Sequence, residues 1–108
     1  MSTAVAERVR VGSVAELSAL GCMLISGAGH SIAVFAHDGR FFAVDNRCPH
    51  KGGPLAEGML AGDAVVCPLH AFRFEFATGE CDQPGTCPVG TYAVMQDGSD
   101  IYIAVPTT

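Results

Sequence analysis

Basic residues are scarce in this sequence: six Lys and Arg stand against eleven Asp and Glu, a formal charge of −5 over 108 residues. That balance argues against broad electrostatic binding to nucleic acid or to an anionic membrane surface, because both need clustered positive charge. Long apolar runs are also missing. The opening Met-Ser-Thr-Ala-Val-Ala-Glu-Arg carries an acidic residue and lacks the apolar stretch of a secretory signal. Neither an export signal nor a membrane-spanning helix is expected, and the expected compartment is the cytoplasm. There is no Ser- or Pro-rich linker, no internal repeat and no shift in composition, so one domain over residues 1–108 is expected. No Gly-rich dinucleotide fingerprint follows a strand, so the chain is not expected to oxidise NADH itself.

What is present is apolar and punctuated. Hydrophobic residues make up 49% of the chain and charged residues 16%, enough for a core and too apolar for a disordered segment. The apolar residues come in short runs broken by turn signals at close spacing, which favours a β-rich fold over a helical one. Val9-Arg10-Val11 opens a first strand. Residues 32–44 read as a hairpin turning at Asp38-Gly39. A Gly62-Asp63 turn precedes a strand at 64–66, and Phe72, Phe74 and Phe76 alternate onto one face before residues 77–80 turn the chain. The strand starting at Tyr92, a turn at Asp97-Gly98 and the run 101–105 close the pattern. The one helical stretch is 14–20, too short to stand without tertiary support.

Two segments break the strand pattern, 45–55 and 67–71, and both are rich in Pro, Gly, Cys and His. Function is to be sought there. They contain Cys48-Pro49-His50 and Cys67-Pro68-Leu69-His70, two Cys/His pairs separated by the sixteen residues 51–66. Ligands one or two residues apart converge on a metal only from a tight loop, and a proline stiffens that loop so that the ligands are placed beforehand. Two such loops supply two sulfurs and two nitrogens. Zinc also accepts that donor set, although zinc sites more often read C-x2–4-C with H-x3–5-H than one Cys and one His per loop.

The stretches Cys-Pro-His-Lys-Gly-Gly-Pro-Leu and Cys-Pro-Leu-His-Ala-Phe-Arg-Phe-Glu-Phe-Ala-Thr-Gly-Glu resemble the Rieske family, a resemblance covering about residues 30–105. It implies a [2Fe–2S] cluster with Cys48 and Cys67 on one iron and His50 and His70 on the other. It also implies a Rieske-like all-β fold with a two-loop cluster-binding subdomain, and an electron carrier in place of an enzyme. Family members of quinol-oxidising complexes carry an extra Cys in each loop, and a Ser and a Tyr two and four residues after the second His. Here those positions hold Gly53, Leu69, Phe72 and Phe74. Without hydroxyl donors toward the cluster, the implied potential lies near the low end of the Rieske range, about −150 mV.

Two kinds of family member have this size. One is the ferredoxin component of aromatic-ring dioxygenases, which takes electrons from an NAD(P)H-dependent reductase and passes them to a terminal oxygenase. The other is the small subunit of assimilatory NAD(P)H nitrite reductase, whose partner is the large subunit. The expectation leans to the ferredoxin. A third reading is a non-redox module that uses the loops with zinc or with nothing.

Five cysteines, an odd number, do not make a disulfide framework. Cys22 is expected in the core, and Cys81 and Cys87 are close enough in sequence to pair, although a reducing cytoplasm favours thiols. His30 and His37 are expected at the surface. Arg47, Lys51 and Arg73 lie within three residues of a ligand, which suggests a locally basic tip.

Overall fold

The computed structural model describes residues 6–27, 29–47, 54–68, 72–82 and 88–106. Among the described residues ten short strands make three antiparallel sheets, joined by one α-helix and one 3-10 turn. The first contains β1 (Ala6–Ser13), β9 (Val94–Asp97) and β10 (Asp100–Pro106) in the order β1-β10-β9. In the second, β2 (Cys22–Gly27), β3 (His30–His37), β4 (Arg40–Asp45) and β8 (Thr91–Tyr92) lie in sequence order. In the third, so do β5 (Met59–Ala61), β6 (Ala64–Val66) and β7 (Arg73–Glu75). The expected all-β class is the observed one.

The helix α1 (Val14–Leu20) forms where the sequence supplies both ends of a cap. Glu16 N–H donates to Ser13 Oγ and Ser13 N–H donates back to Glu16 Oε1, each at 3.0 Å. Two otherwise orphaned amides are thereby satisfied. Its one buried residue, Leu17, supplies the tertiary support that seven residues need.

The hairpin β3–β4 is the centre of the molecule. Asp38 (φ 53°) and Gly39 (φ 75°) form its two-residue turn, the backbone sign that matches the twist of the flanking strands. Residues 32–35 are all buried, which an alternating, half-buried strand would not show. The cause is that both faces of the sheet are covered. Ile32, Val34 and Ala43 pack with Val11, Leu17, Ile101, Ile103 and Val105 of the first sheet and helix. Ala33, Phe35 and Val44 pack on the other face with Leu55, Val65, Cys67, Phe74 and Phe76.

The closing segment departs from expectation. The strand expected from Tyr92 onward is split at Ala93: Tyr92 pairs with Ala43 in the central sheet, whereas Val94 pairs with Ile103 in the first. A single residue outside both ladders lets the chain turn the corner between sheets. The sequence also hides β2 and β5 as distinct strands, the second being only three residues long. Among the described residues no helix is long and apolar enough to cross a membrane.

Candidate metal centre

Of the two loops singled out from the sequence, the first leads from β4 of the central sheet toward β5, and the second joins β6 to β7 in the third sheet. The first leaves β4 at Asp45, whose N–H donates to Gly90 O (2.8 Å). Asn46 then closes the loop's mouth. Its carbonyl accepts from Leu55 N–H and its side-chain Oδ1 accepts from Ala56 N–H, both at 2.7 Å. An isolated bridge between Arg47 and Pro54 completes the closure. The loop therefore ends beside the point where it begins, and buried Leu55 anchors its far side in the core.

The second loop is the tip of a hairpin. Met59 pairs with Val66 across β5–β6, and Val66 with Arg73 across β6–β7. Cys67 N–H donates to Phe72 O (2.7 Å), so the turn closes just beyond the ladder. The register brings the chain leaving the first loop against the chain starting the second. Gly58 packs on Val66, where a β-carbon would stand 2.2 Å from the carbonyl oxygen, so only glycine admits this approach.

Of the four sequence-predicted ligands, Cys67 is described and is buried at 1% exposure among the apolar side chains of the first core. Cys48, His50 and His70 lie outside the described residues. So do Lys51, Gly53, Leu69 and Cys87. Among the described residues no group of three or more His, Cys, Asp or Glu is placed to hold a metal. Phe74, at 0% exposure, shares Cys67's apolar cluster, and Phe72 is packed against it. The three phenylalanines do turn to one core, although only residues 73–75 form the strand and Phe72 and Phe76 flank it.

Other sequence-level expectations change. Cys22 is half-buried against the first core, and burial pushes its thiol up to about 11. His30 and His37 are not plain surface residues. Each sits at an end of the doubly covered β3, His30 against the Tyr92 ring (centroids 5.9 Å) and His37 near that of Phe76 (6.3 Å). Arg73 is exposed, yet its Nη2 donates to Ala61 O (3.2 Å) and its backbone N–H to Asp82 Oδ1 (3.3 Å). Its cation is committed to its own sheet. Asn46 and Gly58 escape sequence reasoning because their roles depend on which strands become neighbours.

A family model, the Rieske [2Fe-2S] domain, matches residues 7–93. The chain belongs to the Rieske family. This Rieske protein is 46% identical over 77 residues to the 3-phenylpropionate/cinnamic acid dioxygenase ferredoxin subunit of Shigella boydii serotype 4 (strain Sb227), covering 69% of this chain and 73% of that one. It superimposes with a TM-score of 0.84 on a chain in the complex of reduced oxygenase and oxidized ferredoxin in carbazole 1,9a-dioxygenase. That match has 26% identity and covers 94% of this chain and 95% of the other. It has the same TM-score, 0.84, against a putative NADH-dependent nitrite reductase small subunit from Mycobacterium tuberculosis. There 93% and 96% of the chains are covered, and at 21% identity the likeness is one of fold alone. The cofactor is a Rieske-type [2Fe–2S] cluster, and the chain is an electron-transfer component, not a catalyst.

Proposed function

We propose that Cys48, His50, Cys67 and His70 hold the [2Fe–2S] cluster. We propose further that the chain carries single electrons from an NAD(P)H-dependent reductase to a terminal oxygenase of the aromatic-ring dioxygenase type. The observation that carries the ligand assignment is the register of β5 on β6, with Gly58 against Val66, which sets the stems of the two Cys/His loops side by side. Cys67 fits a cluster ligand: it stands at the end of its ladder, and its sulfur is shielded by apolar side chains from the water that would compete for iron. When bound, the cluster supplies one-electron redox chemistry.

The protein's own residues fix geometry and exclude solvent. Asn46 holds the first loop shut, the Cys67–Phe72 hydrogen bond holds the second, and Leu55, Val65 and Phe74 make the floor on which Cys67 rests. Oxygenase as acceptor is favoured by the 46% identity to a dioxygenase ferredoxin subunit, whereas the nitrite reductase likeness is of fold alone. Residues of both halves share the cores of the central sheet, which supports a single domain over 1–108. A carrier reduced by an NAD(P)H-dependent enzyme belongs where that nucleotide is, the cytoplasm.

The test is the reduced protein's electron paramagnetic resonance and visible spectra after anaerobic purification. A Rieske signal with two irons per chain is the expected result. A colourless protein, or one holding a single zinc, overturns the assignment.

A further inference from the structure

Asp45 ends β4 and opens the first loop, three residues before Cys48, and its carboxylate is the end of a hydrogen-bonded chain that reaches back into the central sheet. The phenol of Tyr92 donates to Asp45 Oδ1. The same phenol oxygen lies 3.2 Å from His30 Nδ1. A phenol has one proton, and a carboxylate only accepts, so that proton is committed to Asp45. His30 Nδ1 must then be the donor to Tyr92. The direction of the chain is fixed: His30 N–H to Tyr92, Tyr92 O–H to Asp45.

Four further features show that the arrangement is built. His30 begins β3, Asp45 ends β4 and Tyr92 ends β8, so the chain ties three strands of the central sheet at the root of the first loop. Gly90 leaves room for the carboxylate: a β-carbon there would stand 2.4 Å from Asp45 Oδ2. Burial and the Asp45 carboxylate both push the Tyr92 phenol above its ordinary range, which keeps it a donor at every working pH. The next residue, Asn46, clamps the loop's mouth, so consecutive residues pin the loop to the scaffold and to itself.

We propose that His30, Tyr92 and Asp45 are positioning residues for the cluster, pinning the stem of the first ligand loop so that the cluster is not lost. This rests on the assignment of Cys48 and His50 as ligands. Losing the Tyr92–Asp45 bond frees the stem at residue 45 while leaving the ring of residue 92 packed. The loop then opens more often, and its ligands exchange with water.

The experiment follows bleaching of the cluster in the oxidised holoprotein with excess EDTA at room temperature, with far-ultraviolet circular dichroism recorded on the same samples. Tyr92→Phe should bleach about five- to tenfold faster, the scale of one lost hydrogen bond, with ellipticity unchanged. The g values of the reduced cluster should also shift. Asp45→Ala should behave likewise. Asp45→Asn should stay within about twofold of the native rate, because an amide oxygen still accepts from the phenol. Bleaching in Tyr92→Phe at the native rate with native g values overturns the proposal, as does Asp45→Asn bleaching as fast as Asp45→Ala. Loss of ellipticity in step with bleaching would reduce the effect to global stability and overturn it too. The unaltered protein's Rieske spectrum reports separately on the ligand assignment, so the two readings fail independently.

Discussion

Gly58 lies directly against the carbonyl of Val66, and a β-carbon at position 58 would stand 2.2 Å from that oxygen and 3.1 Å from Leu55 O. Backbone surrounds the site on two sides, so nothing flexible can give way. Gly58→Ala should destabilise the fold by about 3 kcal/mol, the upper part of the overpacking range, and should lower the iron content because it spreads the two loop stems. Chemical denaturation and iron analysis check both. Native stability in this variant would show that the two stems are not in contact.

His50→Ala and His70→Ala should each open one coordination position on the histidine-bound iron, to be taken by water. The expected outcome is loss of the Rieske spectrum with the β-sheet circular dichroism retained. A normal spectrum in both variants would show that other residues bind that iron.

Phe74 is fully buried in the cluster of apolar side chains that holds Cys67. Reduction adds negative charge at the site, so a hydroxyl there favours the reduced state. Each 59 mV corresponds to about 1.4 kcal/mol for one electron, and a buried hydrogen bond is worth about that much. Phe74→Tyr should raise the midpoint potential by some tens of millivolts, on the order of a tenth of the Rieske span. Voltammetry measures it. An unchanged potential with the spectrum intact would mean that position 74 does not face the cluster.

The Cys22 thiol, raised to about 11 by burial, gives a dependence of stability on pH. Its folded value lies above the ordinary 9.0, so the stabilisation is complete below pH 9 and is lost as pH rises through about 11. Stability should decline over that window, and Cys22→Ala should remove part of the decline. The phenol of Tyr92, also raised, adds its own loss from its ordinary value of 10.0 upward, which is the part of the decline that Cys22→Ala should leave in place. Denaturation midpoints from pH 8 to 11 test this, and identical slopes in both proteins would refute it.

Local features of the sequence survived intact in the structure. The Asp38-Gly39 hairpin, the capped helix and the turn at Gly62 depend on residues within a few positions of each other, where backbone preference decides. The Cys/His pairs stand out in the sequence for a similar reason, since each pair lies within four consecutive residues. The run Ile-Ala-Val-Phe-Ala signalled a strand, but not that sheets cover both its faces. Asn46, Gly58 and the His30–Tyr92–Asp45 chain were not legible, because each joins residues 10 to 62 positions apart or depends on a register that only the folded sheets set. His30 looked like a surface residue because its partner sits at the far end of the chain.

The core on the helix side of the central sheet draws on residues 9–43 and 92–105, and among the described residues it takes no side chain from the stretch between 44 and 91. That stretch carries both Cys/His pairs. The helix, the outer sheet and one face of the hairpin can therefore close before any iron arrives, leaving the loops as a socket on a finished frame. Assembly of the holoprotein then becomes an insertion and not a co-folding event. In the iron-free chain, amide hydrogens of β1, β3 and β10 should stay protected from exchange while those flanking the loops are not.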